Sequence, residues 1–157
     1  MRPPETYLAP VVLLAFAGAG ISAFLLANHF GAVEAGFCTI GPGTSCDAVN
    51  RSKWSEIAGV PVAAIGLAGF VALAVIVLDI RLRERPLFRA RDAFLLALGG
   101  LAFGVYLTWV ELAVLHEICP LCVISFALGI AIAGLTGLAF WSERLAAKAV
   151  PGTPEDG

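Results

Sequence analysis

The chain has 157 residues, of which 59% are hydrophobic and 14% charged, and its mean hydropathy is +0.90. Water-soluble domains carry about 25% charged residues, so this composition fits a membrane protein and not a soluble one. A net charge of −2 supplies no basic field for nucleic acid.

A helix rising about 1.5 Å per residue needs about 20 apolar residues to cross a hydrocarbon core about 30 Å thick. Four runs meet this length, at about 7–30, 57–79, 93–117 and 119–141. They predict an all-α membrane protein, a four-transmembrane-helix bundle forming a single domain. Thr6 to Val33 contains no Asp, Glu, Lys or Arg. "AFA" at 15–17 resembles a signal-peptide cleavage site, but the apolar run continues well past it, so the segment is expected to stay as a true span.

The loop 31–56 holds Cys38 and Cys46 on either side of "GPG" at 41–43. Gly and Pro there signal a turn that folds the segment back and brings the two thiols within disulfide reach. Ser45 is a plausible N-cap and Asp47 a favourable first-turn acid, so Cys46 opens a short half-helix, 46–54. A thiol at a helix N-terminus has a lowered pKa, although Asp47 beside it works the other way. Trp54 suits an interfacial anchor, and Pro61 suits the first turn of span two. His29, near the end of span one, reads as interfacial.

The loop 80–92 carries Arg81, Arg83, Arg85, Arg89 and Arg91, and the positive-inside rule places it in the cytoplasm. Four spans then put both termini inside, with a cytoplasmic tail at 142–157. Eight of the ten basic residues fall on that side. All four cysteines fall on the other, where thiols can hold disulfides. Asp79 joins the arginines at the cytoplasmic interface. Paired glycines mark the spans, among them the Gly-x-x-x-Gly of Gly100 and Gly104, and predict close helix packing. Glu111 and Glu117 flank His116 near the outer end of span three. A carboxyl at that depth is a functional candidate, here a possible proton relay.

"ICPLCVISF" at 118–126 begins span four. Pro120 fits the first helical position, which makes Cys119 the cap and sets Cys122 about 4.5 Å deeper along the axis. Cys119 can then meet a loop thiol while Cys122 meets something dissolved in the bilayer. Thiol–disulfide exchange needs such a chain of approachable sulfurs. The electrons must leave, and the sequence has no dinucleotide-binding fingerprint, so a membrane quinone is the expected acceptor. Two other readings stay open: a Cys₄ zinc site, against which the seven-residue spacer argues, and two purely structural disulfides. No metal is expected.

Together these features resemble the vitamin K epoxide reductase family, specifically prokaryotic quinone-dependent members that make disulfides. The resemblance covers all four spans. It rests on Cys38 and Cys46 at their spacing, Ser52 six residues past Cys46, Trp54, and Cys119-Pro-Leu-Cys122 opening span four. The other membrane disulfide oxidases carry their Cys-x-x-Cys in the first outer loop. The resemblance implies that Cys122 contacts the quinone (ubiquinone or menaquinone) and that Cys119 receives reducing equivalents from Cys46. Cys38 would exchange with a separate thioredoxin-fold dithiol protein. The half-helix would cap a quinone pocket that includes Cys122, Ser52, Trp54 and Phe126, with Ser52 either hydrogen-bonding near the quinone head or bracing the half-helix. Phe126 stands where vertebrate members have a Tyr, which disfavours the alternative activity, reduction of vitamin K quinone or epoxide. A third reading is a non-enzymatic membrane protein with structural or metal-binding cysteines. The chain closes on "PGTPEDG" without a fused thioredoxin domain, so the partner is expected to be separate. The implied location is a prokaryotic plasma or inner membrane.

Overall fold

The computed structural model describes the backbone of residues 3–149 and the side chains of 6–149. The remaining residues, including Arg2 and the end of the expected tail, lie outside the described residues. Four long helices form the body: α1 (Pro3–His29), α3 (Val62–Leu82), α4 (Ala90–Val110) and α5 (Pro120–Ala149). A short helix, α2 (Cys46–Asn50), and a two-stranded hairpin, β1 (Glu56–Ile57) and β2 (Val60–Pro61), lie between α1 and α3. All four long helices are long and apolar enough to cross a membrane.

The helices form a ring in which α1 packs between α3 and α5, α5 packs on α4, and α4 meets α3 more sparingly. The outside is as apolar as the inside. Leu13, Phe16, Val75, Leu95, Ile130 and Leu138 are each more than half exposed, as lipid-facing side chains would be. Two cores divide the bundle along its axis. One is built from Leu8, Val11, Leu73, Val77, Ala93 and Ile132. The other lies at the opposite end and contains Leu25, Val49 and Ala63 together with Cys38, Cys46 and Cys119.

The arginine end is tied by carboxylates. Asp79 accepts the N–H groups of Leu87 (2.7 Å) and Phe88 (3.1 Å) and pairs with Arg83 at 2.8 Å. Asp92 accepts the Arg89 N–H at 2.9 Å and so caps the start of α4. These bonds hold the connection between α3 and α4 to a short turn.

Several boundaries differ from the sequence reading. Span two was expected over about 57–79, but α3 starts at Val62, because Ala58 and Gly59 take positive φ (52° and 79°) and turn a hairpin. Both central residues at positive φ match the hairpin turn that follows strand twist. Pro61 therefore caps α3 and does not sit in its first turn. Span three, expected over about 93–117, begins at Ala90 and ends in a π turn, Glu111–Leu115, closed by His116 at φ 54°. Span four, expected to end at 141, continues as helix to Ala149, so the first eight residues assigned to the tail are helical. The half-helix, expected over 46–54, stops at Asn50; a separate 3₁₀ turn covers Lys53–Ser55.

Close packing at the glycines takes two forms: Gly66 of α3 faces Ser22 of α1, whose Oγ would lie 3.2 Å from an added Cβ, and other glycines face aromatic rings. A Cβ on Gly104 would lie 2.6 Å from the Phe126 ring, and one on Gly18 would lie 2.5 Å from the Phe70 ring. Gly100 has nothing within 4 Å of that position and lines a cavity. These glycines seat aromatic rings or leave space.

Candidate active site

The loop between α1 and α3 folds into a cap over one end of the bundle. Gly43 takes φ 79°, where a side chain would be strained, and the turn it makes is closed by Thr44 Oγ1 on both backbone groups of Gly41. The same turn is pinned to the start of α5. The Ile118 N–H donates to the Gly43 carbonyl at 2.9 Å, and the Ser45 N–H donates to the Ile118 carbonyl at 3.1 Å. Two segments 70 residues apart in sequence are thereby joined through backbone groups alone.

Ser45 is the N-cap of α2, its Oγ accepting the Ala48 N–H at 3.2 Å, and Cys46 is the first helical residue. Cys46 is bonded to Cys38 in a disulfide. Cys119 and Cys122 are free thiols. Cys119 caps α5: its carbonyl accepts the Val123 N–H at 3.1 Å, and its Sγ accepts the Cys122 N–H at 3.3 Å. Pro120 occupies the first helical position, where its missing N–H costs no helical bond.

These two helix starts bring the cysteine pairs together. Cys119 Sγ lies 3.0 Å from Cys46 Sγ, and both residues are fully buried. The Cys119 thiol is held below the ordinary cysteine value, chiefly by a hydrogen bond from the Cys122 thiol, with the backbone N–H groups of Cys122 and Leu121 adding to it. Burial and the nearby Glu111 charge oppose this. A buried thiol with a lowered pKa, 3.0 Å from a disulfide sulfur, is placed for thiol–disulfide exchange.

Behind Cys122 opens a cavity of about 430 Å³ lined by residues of α1, α2, α3, α4 and α5. That volume lies within the usual range for small-molecule sites. It is walled mainly by Leu, Ile, Phe, Ala and Gly, with six polar residues: Ser22, Asn50, Thr108, Glu111, Cys122 and Ser125. Its lining runs along α4 from Leu96 to Glu111, about 22 Å of helix. The α5 contribution, Cys122, Ser125, Phe126, Gly129 and Ile132, follows one helical face.

Glu111 is 4% exposed, and so it is not the solvated interfacial acid that its position near a span end allows. Its Oε2 accepts the Cys119 N–H at 3.3 Å, so the same carboxylate lines the cavity and supports the α5 cap. The π turn sets this position, with the His116 and Glu117 N–H groups both turned onto the Glu111 carbonyl. Such turns recur at functional sites.

The other expected contacts divide. Phe126 lines the main cavity. Ser52 and Trp54 do not; they line a separate space of about 30 Å³ that also touches Glu111 and Cys122. Ser52 Oγ donates to the Val49 carbonyl at 2.8 Å and braces the end of α2. Among the described residues no group of three or more His, Cys, Asp or Glu is arranged to hold a metal.

Sequence reasoning missed Asn50. It is 4% exposed, its amide donates to the Leu25 carbonyl and to Asn28 Oδ1, and it lines the cavity. Asn28, fully buried, donates in turn to Asp47 Oδ1 at 2.6 Å. His29 Nδ1 lies 2.8 Å from the Asn50 carbonyl, so this histidine ties α1 to the cap and is not merely an interfacial residue. The available signal was Asn50 four residues after Cys46, on the same face of a helix that had to be anchored somewhere. Compared with known families, the chain matches the model of the vitamin K epoxide reductase family over residues 9–137, a stretch that contains all four cysteines.

Proposed function

The chain belongs to the vitamin K epoxide reductase family, a family of membrane thiol–disulfide oxidoreductases linked to quinone, and we propose that this member passes electrons from a thioredoxin-fold dithiol to a membrane quinone. The proposal places the cysteine end outside the cytoplasm, in a prokaryotic plasma or inner membrane, with the arginine loop inside. The observation that carries it is the 3.0 Å approach of Cys119 Sγ to Cys46 Sγ beside an apolar cavity lined by Cys122.

The steps balance as two-electron exchanges. A partner dithiol attacks the Cys38–Cys46 disulfide, leaves as a disulfide, and leaves two thiols behind. The Cys46 thiolate attacks Cys119 in a Cys119–Cys122 disulfide, forming Cys46–Cys119 and freeing Cys122 as a thiol. Cys38 then attacks Cys46, restoring Cys38–Cys46 and releasing Cys119. In this cycle the form with Cys38–Cys46 bonded and Cys119 and Cys122 as thiols is the one that awaits oxidation by quinone. A quinone in the cavity supplies the oxidant, accepting two electrons and two protons. Cys122 delivers the electrons and Cys119 closes the disulfide. Glu111 lines the same cavity beside Cys122 and is proposed to relay a proton. The length of the cavity along α4 suits an isoprenoid tail.

Phe126 presents a ring without a hydroxyl, which favours disulfide formation over the alternative, reduction of vitamin K quinone or epoxide. The test is quinone absorbance in purified protein given dithiothreitol. Wild-type protein should bleach the quinone, and Cys119→Ala and Cys122→Ala should not. Undiminished reduction by Cys122→Ala would show the electron path to be wrong.

A further inference from the structure

We propose that the Ser125 hydroxyl is a hydrogen-bond donor to the bound quinone's carbonyl oxygen; this rests on reading the cavity as the quinone site. Ser125 Oγ is buried and has no hydrogen-bond partner in the protein. That is unusual for a helical serine, which normally returns its hydroxyl to a carbonyl of the preceding turn. Thr136, further along α5, does so, donating to the Ile132 carbonyl at 2.8 Å, and Thr108 on α4 donates to the Gly104 carbonyl at 2.9 Å. In an apolar wall an unpaired hydroxyl is costly, and a buried polar group without a partner calls for a ligand or a functional reason.

Its placement supplies the reason. Ser125 follows Cys122 by three residues, so the two share one face of α5 about one turn apart, and both line the cavity. Phe126 beside it is held by contact with Gly104 and offers a flat apolar surface without a donor. A ring resting against Phe126, with one edge at Cys122, places an oxygen within reach of a serine hydroxyl that turns about one bond. Donation to that oxygen withdraws charge from the ring as electrons arrive from Cys122, an effect that strengthens along the reaction.

The experiment compares wild type, Ser125→Ala and Ser125→Thr as purified full-length proteins, with a short-tailed benzoquinone as probe and dithiothreitol as donor. Loss of one neutral hydrogen bond to a ligand corresponds to about a fivefold to tenfold rise in KM for Ser125→Ala, with Ser125→Thr close to wild type. Exchange of dithiothreitol with Cys38–Cys46, measured with quinone omitted, should not change. Without quinone the Ala variant should melt higher than wild type, because it removes an unsatisfied group; a serine serving only the fold would give a lower melting temperature. An unaltered KM in Ser125→Ala, or a lower melting temperature, would overturn the proposal while the wild-type reaction stands. No quinone reduction by the wild type would overturn the reading of the cavity itself.

Discussion

Glu111→Gln separates the two tasks that the structure gives to one carboxylate. The side chain is 4% exposed, accepts the Cys119 N–H at 3.3 Å, and lines the cavity with Cys122. Glutamine has the same shape and keeps a carbonyl acceptor for that N–H, so the α5 cap and the sulfur-to-sulfur approach should survive. It cannot carry a proton. General acid–base groups contribute about 100-fold to 10,000-fold, and the lower figure corresponds to about 2.7 kcal/mol on the barrier. Quinone reduction by Glu111→Gln should therefore fall at least about 100-fold, while exchange among the cysteines stays within about twofold of wild type, a difference under 1 kcal/mol. Glu111→Ala should impair both, because it also leaves a buried N–H unpaired, at a cost of about 1–3 kcal/mol. The assay is stopped-flow quinone absorbance across pH, run beside thiol trapping without quinone. A Gln variant with wild-type turnover at every pH would refute the relay.

Asn50→Ala removes the amide that joins α2 to Leu25 and Asn28. A loss of about 1–3 kcal/mol is expected, with Cys46 drifting from Cys119, read as slower exchange between the two pairs while a dithiol still reduces Cys38–Cys46. The lowered Cys119 pKa predicts a thiolate already populated at a pH where an ordinary cysteine is protonated. Alkylation of Cys119 in detergent-opened protein should thus rise with pH through a midpoint below that of a free thiol. Cys122→Ala removes the chief stabilising hydrogen bond and should move that midpoint upward; a midpoint that did not move would show that the bond is not the cause.

The spans and the two cysteine-bearing helix starts were legible because each is written locally. Runs without charge mark the helices, and Ser45 before Cys46 and Cys119 before Pro120 mark two helix starts. The π turn was not legible, since "ELAVL" is an equally good α-helical sequence and the wider turn depends on His116 adopting φ 54°. The hairpin at 56–61 was hidden inside an apolar run, with only Ala58-Gly59 as a signal. Ser52 and Trp54 were expected at the quinone pocket on resemblance; both line the small space that touches Glu111 and Cys122, and Ser52 braces the end of α2 through Val49, one of the two roles the resemblance implied for it. Ser125 owes its place to helices brought together from distant sequence, which no local pattern encodes.

The central claim is that electrons cross from the loop pair to the α5 pair between Cys46 and Cys119. Its most direct measurement is peptide mapping of unreduced Cys38→Ala protein after incubation with quinone and no added dithiol. With Cys38 absent, the free Cys46 thiol attacks the Cys119–Cys122 disulfide and no loop thiol resolves the product forward, so a Cys46–Cys119 disulfide should accumulate with Cys122 free. Recovery of Cys119 bonded only to Cys122, with Cys46 free, would contradict the account.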